Sequence, residues 1–541
     1  MRFARCFYVC LSGLLLTSVA QAAEAGQGQT PPAQPPATAP RPAVVPMAGE
    51  SDGPARPLSI DEAVELALRN NLGLQIERLN PQIEEELIAQ ARAPYAPVLN
   101  SSFSLNSSKS LPGNFTEGSD AFSNSGLTTN VQVVQQSLPW TNASVQATFQ
   151  GSRSETGRFG ASFNPNLNSF FNVQADQPLI RDFLVNPVKN QIEQAVLSRQ
   201  ISDVTLRQRV AGTERNVRQA YWQLVGAIER LNVARQNLDL SNEQLRANRV
   251  RVEVGTMAPI DIIAAQAEVA GNEEAVITAE AGIRSAEDTL RTLIFDPSST
   301  EFWSARIQPT NKPLLQPMEV NLDAAIRSAV ESRTDIVTTR KQLQISDLNL
   351  KLTKNQTLPD VSLRANFTNT GSGGTQISYI QNNPELGIDQ QIDRSFGQTL
   401  GDVFGFAYPS WTVGVNFSYP LGKALADANH ARATLQRRQA DSQLKQLELG
   451  ITQQVRQAAR NVNTNYQRVQ TTRVARELAE QRLAAQQKRF EVGLSTLFEL
   501  TQAQRDVVLQ RNNELNAVID YNQALVDFQL VQVAPLGGGQ F

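Results

Sequence analysis

Few side chains in this sequence are equipped for covalent or metal chemistry. The 541 residues include one histidine, His430, and two cysteines, Cys6 and Cys10, both near the N-terminus. A histidine cluster is therefore impossible, and a cysteine-based metal site is excluded. That leaves the carboxylates. Two of them, Asp261 and Glu499, occupy matching contexts, each six residues beyond a glycine, in "VEVGTMAPID" and "FEVGLSTLFE". Acids placed there suit the first turn of a helix, where they complement the positive end of the helix dipole. Catalysis would need a nucleophile, a base and an orienting group, and no such constellation emerges. A phosphate-binding glycine loop is missing as well. The sequence predicts no catalytic, cofactor-binding or metal-ligating residues, and no enzyme. His430 reads as a solvated side chain on a helix.

Lysine and arginine number 49 against 52 aspartates and glutamates, so no basic face for nucleic acid is implied. The N-terminus, "MRFARCFYVCLSGLLLTSVAQAAEAG", combines Arg2 and Arg5, an apolar run from Cys6 to Val19, and a small-residue cleavage site, Ala20-Gln21-Ala22. It reads as an export signal over residues 1–22, whose removal takes both thiols with it. Residues 23–57, rich in proline, alanine and glycine, read as a disordered tail. No later apolar run is long enough for a spanning helix, a pattern that a membrane β-barrel also shows.

The elements that must position the two acids are duplicated. The glycines, Gly255 and Gly493, are 238 positions apart, and "VRQA" at 217–220 recurs as "VRQA" at 455–458 with the same offset. Nearer the start of each half, "SIDEAVELAL" from Ser59 resembles "NLDAAIRSAV" from Asn321, and "PVL" at 97–99 meets "PDV" at 359–361, both offset by 262. The change in offset places extra residues between Pro97 and Gln177. Two repeats are expected, 58–300 and 320–531, joined by a connector at 301–319 and followed by a short tail at 532–541.

Each half reads as short helix, helix, strands, very long helix, elbow, helix. Val217, Leu224, Leu231, Leu238, Leu245 and Val252 recur every seven residues, as do Val455, Val462, Val469, Leu483 and Phe490, with Arg476 interrupting. Beyond the first elbow, Val269, Val276, Ile283 and Leu290 continue at seven. Sustained heptads predict helices supercoiled on one another. The first long helix, from about Pro187 to Val254, would be on the order of 100 Å long.

The strands alternate. Trp411, Val413, Val415, Phe417, Tyr419 and Leu421 share one face against Thr412, Gly414, Asn416 and Ser418. Val361, Leu363, Ala365 and Phe367 alternate with Ser362, Arg364 and Asn366, and the first half repeats the pattern at Val145, Ala147 and Phe149 and at Phe171, Val173 and Ala175. Residues 368–391, rich in asparagine, serine and glycine, read as a long polar loop. Trp140, Phe170, Trp411 and Tyr419 are candidates for interfacial girdles. Strands are too few for one chain to close a barrel, so a closed oligomer is expected.

With the elbows "VEVGT" and "FEVGLST", the strand-to-helix junctions "QPLIRD" and "YPLGKA", and "LPDVSLRANF" entering a strand, the chain resembles the TolC-like outer-membrane efflux proteins over residues 58–531. The resemblance implies a mainly α fold with a membrane β-barrel. Duplicated halves form a trimeric outer-membrane barrel, continued by a periplasmic coiled-coil α-barrel. It implies a passive exit duct of a tripartite efflux pump or type I secretion system in the Gram-negative outer membrane. Its partners would be two further copies, outer-membrane lipid, a periplasmic adaptor protein and an inner-membrane transporter. Val254, Gly255, Thr256, Val492, Gly493, Leu494 and Ser495 would form the periplasmic tip that docks the adaptor. Asp261 and Glu499 would become rings of carboxylates at the entrance, with Gln502 standing where relatives often carry another acid. Where some members latch the entrance with an aromatic hydroxyl and a basic residue, this chain has Phe490 and Ser495. The family's usual contribution is four strands per chain, and the first half has room for an additional pair near 128–137 and 143–153. The rival reading is a periplasmic coiled-coil structural or adaptor protein. An adaptor, however, carries one hairpin and not two. Nothing in the sequence identifies the exported cargo.

Overall fold

In each repeat, capped short helices lead into strands and the strands into helices of great length. The computed structural model describes residues 55–111, 121–158, 160–298, 306–421 and 425–536. The expected export signal and most of the expected tail lie outside them. The first half runs through β1 (Ala55–Leu58), α1 (Ile60–Asn70), α2 (Leu72–Ala91), β2 (Val98–Ser110), β3 (Phe122–Gln135), β4 (Ser144–Thr156), β5 (Phe163–Pro178), α3 (Pro187–Glu253) and α4 (Ile260–Ile294). The second runs through β6 (Arg306–Pro309), α5 (Leu322–Ser332), α6 (Thr334–Asn355), β7 (Asp360–Tyr379), β8 (Ile388–Arg394), α7 (Phe396–Phe404), β9 (Pro409–Ser418), α8 (Leu425–Glu491) and α9 (Leu497–Leu530).

The heptads become buried seams. Val217, Leu224 and Leu231 of α3 are buried, and so are their counterparts Val455, Val462 and Val469 of α8. They anchor two separate cores. In the first, Leu58, α1, the middle of α3 and the end of α4 surround Tyr221. Its hydroxyl donates to the Leu58 carbonyl and accepts the N–H groups of Thr310 and Asn311. In the second core Tyr521 is fully buried, its hydroxyl donating to the Gln316 carbonyl, and so is Arg333. Arg333 donates to the Val531 carbonyl and to Gln454, and pairs with Asp335 at 3.1 Å. Arg476, which breaks the α8 heptad, reaches across to Glu514 of α9 at 2.5 Å and along its own helix to Glu480. Arg511 of α9 grips the same Glu480. The break in the apolar pattern is thus a charged clasp between the two arms.

Six long strands make one antiparallel wall, ordered β2-β3-β4-β5-β7-β9, with β8 pairing only the outer part of β7. The registers place Leu99, Val133, Ala147, Val173, Phe367 and Trp411 on a common face. Asn100, Gln132, Thr148, Asn172, Asn366 and Thr412 lie on the other. Along that stretch one face is mainly apolar and the other mainly polar, as a membrane barrel requires of lipid and lumen sides, while farther along the strands Lys109, Arg153 and Glu155 fall on the first face. The additional hairpin is therefore part of the wall, its strands displaced outward from the expected 128–137 and 143–153. Phe170 belongs to the polar face, between Asn168 and Asn172, because its neighbour Phe171 takes the apolar one. It cannot contribute to a lipid-side girdle.

Three further expectations are corrected. Residues 55–57, expected within the disordered tail, form β1, because parallel pairing with residues 306–309 satisfies their backbone groups while Leu58 enters the core. Residues 368–379, expected as loop, continue β7, since β5 extends alongside and supplies partners as far as Gln376. Finally, the short helix α7 was not anticipated. It opens with a capping box, Ser395 with Gln398, and lies on the apolar face of β5 and β7 with Thr399 and Val403 buried. Gly371 and Gly373 sit beneath it because a Cβ at either would collide with Thr399.

Candidate functional site

The two elbows are built alike from the backbone up. Each long helix ends in a glycine with a left-handed backbone, Gly255 at φ +77° and Gly493 at φ +76°. Gly255 donates to the Val252 carbonyl and Thr256 to the Arg251 carbonyl, at 3.0 and 2.8 Å. Gly493 donates to Phe490 and Leu494 to Arg489, at 3.2 and 2.8 Å. Both are Schellman closures, in which two otherwise orphaned carbonyls are satisfied and the chain turns back. Open space surrounds both glycines, so the backbone angle alone demands the residue.

Starting the returning helix is done differently. Thr496 caps α9, accepting the Glu499 N–H, while the Glu499 carboxylate accepts the Thr496 N–H in return. The same carboxylate accepts the Ser495 hydroxyl at 2.7 Å and the Gln486 amide at 3.0 Å. Those hydrogen bonds, the Ser495 hydroxyl foremost, hold the Glu499 carboxyl below the usual carboxylate range. In contrast, α4 begins at Pro259 with no side-chain cap. Asp261 there lines a cleft of about 220 Å³ with Gln244, Glu268, Phe498, Gln502 and Arg505. Gln502 donates to Asp506. Asp261 and Gln502 therefore share one cleft, whereas Glu499 is engaged by the turn itself.

The elbows touch. The Arg251 guanidinium of α3 sits over the Phe490 ring of α8, 4.6 Å from its centroid. Phe490, lacking a hydroxyl, is buried beneath that cation, and Ser495 serves Glu499 instead. Further along, Arg505 of α9 grips Glu268 of α4 through Nε and one terminal nitrogen of its guanidinium. Neither pair was read from the sequence; each joins residues far apart in the chain, which no local spacing reveals.

Around the turns, Val254, Val492 and Leu494 are exposed, Leu494 at 78 %. Ile260, Ile263 and Phe498 add to them, Phe498 at 75 %. Sequence reading missed these three, although an apolar residue in the first turn of a returning helix, with no heptad partner, is a signal of a presented surface.

Among the described residues no group of histidine, cysteine and acidic side chains is arranged to hold a metal ion, and no helix is long and apolar enough to cross a membrane.

Comparison with known proteins gives the same architecture. Residues 63–294 and 325–531 match the family described as outer membrane efflux protein. Outer membrane protein TolC of Vibrio cholerae is 21 % identical over 309 residues, 56 % of this chain and 64 % of that protein, so the match spans under two thirds of the relative. A membrane protein from Pseudomonas aeruginosa superimposes with a TM-score of 0.62 at 17 % identity, covering 87 % of this chain and 93 % of that one. The outer membrane protein VceC of Vibrio cholerae gives 0.60 at 14 % identity, covering 88 % and 96 %. These likenesses place the long helices and the sheet in a TolC-like channel fold. The chain belongs to the outer membrane efflux protein family.

Proposed function

We propose that three copies of this chain assemble into a passive exit duct serving a tripartite efflux pump or a type I secretion system. Their strands pool into one barrel, and the paired helices α3–α4 and α8–α9 extend into the periplasm. An inner-membrane transporter supplies the energy, and a periplasmic adaptor bridges it to the elbows. The duct is built from two efflux repeats, 58–300 and 320–531, joined at 301–319. What carries the reading is the union in one chain of a two-faced strand wall and two matched elbows with exposed apolar residues. A periplasmic adaptor or coiled-coil spacer has no use for six long strands with an apolar face.

Val254, Gly255, Thr256, Val492, Gly493, Leu494 and Ser495 form the docking tip in this proposal, extended by Ile260 and Phe498. Asp261 is the principal entrance acid in this proposal, because it lines a cleft together with Gln502. Glu499 contributes charge while holding its own turn. Neutralising both acids tests the gate: Asp261→Asn with Glu499→Gln keeps the capping hydrogen bonds and removes both charges. Single-channel recording of the purified protein in a planar bilayer should show cation-preferring currents that grow in this variant. Unchanged currents would remove the gate and keep the duct. Failure of folded protein to insert would remove the duct.

A further inference from the structure

We infer that each copy supplies six wall strands, not four, so that β2 of one copy pairs with β9 of the next and three copies close an eighteen-stranded barrel. The inference rests on the trimeric duct proposed above and adds the composition of its wall.

Four observations carry it. First, β3 and β4 are hydrogen-bonded along their lengths to β2 and β5, with no break between the hairpin and the rest of the sheet. Second, all six strands share one phase over the stretch that aligns Leu99, Val133, Ala147, Val173, Phe367 and Trp411, mainly apolar on one face and mainly polar on the other; a hairpin lying off the wall would have no need to keep that phase. Third, the wall ends in two free edges. β2 and β9 do not pair with each other, and both are exposed along nearly their whole length. Bare backbone groups in hydrocarbon find no water to bond, so these edges must be covered. Six strands are fewer than the eight of the smallest membrane barrels, so the chain cannot cover them by closing on itself.

The fourth observation identifies the occupant. β2 begins where α2 delivers it and β9 ends where the chain returns toward α8, so the two edges run in opposite directions. A second copy brought round by rotation presents β9 to β2 in the antiparallel sense, with polar residues again on one side. With strands about 4.8 Å apart and tilted by about 40°, eighteen give a barrel about 36 Å across, against about 24 Å for twelve. Twelve helices about 9.5 Å apart, four from each copy, form a ring of about the same 36 Å. The lumen is also left clear on the membrane side, because α7 packs on the apolar face and not on the polar one.

Imaging the full-length trimer in lipid nanodiscs by electron cryomicroscopy reads the strand count directly. Eighteen strands in a ring of about 36 Å are expected. A twelve-stranded ring with the β3–β4 hairpin outside it overturns the inference while leaving the trimeric duct standing. Six strands per copy in a ring of another copy number support the six-strand wall and overturn the trimer. A biochemical version uses the single cysteine pairs Ser102→Cys with Thr412→Cys, Asn416→Cys or Ser418→Cys, all on the polar face. At least one pair should give covalent dimers and trimers on a non-reducing gel. None doing so, in trimers that remain intact, would overturn the β2–β9 edge.

Discussion

The two elbows follow the same backbone path and are held in place by different side chains. Both reverse a 67-residue helix through a left-handed glycine and two closing hydrogen bonds. Beyond the glycine they diverge. The second elbow fastens its returning helix with Thr496, Glu499, Ser495 and Gln486, whereas the first enters α4 through Pro259 and places Asp261 at the wall of a cleft. The cores diverge too: each buries a tyrosine hydroxyl, and the second also encloses the fully buried Arg333. Duplication has preserved what the chain's path demands and released the rest, so equivalent positions in the two halves need not share a role.

Substitutions can break or sharpen that contrast. The largest effect is expected in the second core. Removing Arg333, as Arg333→Ala, strands Asp335 and leaves the Val531 carbonyl and Gln454 without their donor, costing about 3–5 kcal/mol. Tyr221→Phe, its counterpart in the first core, takes the hydroxyl acceptor from the Asn311 N–H while the Thr310 N–H keeps the Leu58 carbonyl, and should cost about 0.5–1.5 kcal/mol. Melting curves followed by helical circular dichroism would rank the two; equal losses would remove the distinction between the cores.

Gly255→Ala and Gly493→Ala should each cost about 1–2 kcal/mol and, above all, the same amount, since both impose a left-handed backbone in open space. Unequal losses would show that the elbows differ in more than side chains. Thr496→Ala should loosen the start of α9 by about 1 kcal/mol, while Pro259→Ala, with no cap to lose, should do little. Amide hydrogen exchange at the two turns compares them directly.

The smallest effect is a pH dependence confined to the second elbow. Glu499 has its carboxyl held below the ordinary range in the folded turn. Its stabilisation is complete above the unfolded carboxylate range and fades as pH falls through the lower folded value. Protection of the amides of residues 496–499, taken relative to the intrinsic exchange rate at each pH, should fall between about pH 5 and about pH 3, and Glu499→Gln should flatten that change. A flat profile in the unsubstituted protein would mean that the hydrogen bonds, not the charge, hold the turn.

Periodicity made much of this fold legible. Heptads at Val217, Leu224 and Leu231 and at Val455, Val462 and Val469 announce the buried seams, and alternation at Val361–Phe367 and Trp411–Phe417 announces the two faces. The elbows were visible because one glycine context occurs twice. What escaped depends on contacts between distant segments. Residues 368–379 look like loop because their glycines answer to a helix lying over them, and that helix answers to them. Arg251 with Phe490 and Glu268 with Arg505 are pairs that only the folded chain assembles. The capping box Ser395–Gln398 was the one local sign of α7.

The clasp in which Arg476 holds Glu514 and Glu480, and Arg511 holds Glu480 as well, has a mechanical consequence. An apolar heptad seam is indifferent to sliding by one repeat, a shift of about 10 Å along the axis, because each leucine finds an equivalent hollow. The charges find no equivalent partner at that displacement. A load applied at the second elbow therefore meets shear resistance between α8 and α9 and travels along them as through a single strut. Rotation and bending remain open to the pair, and telescoping does not.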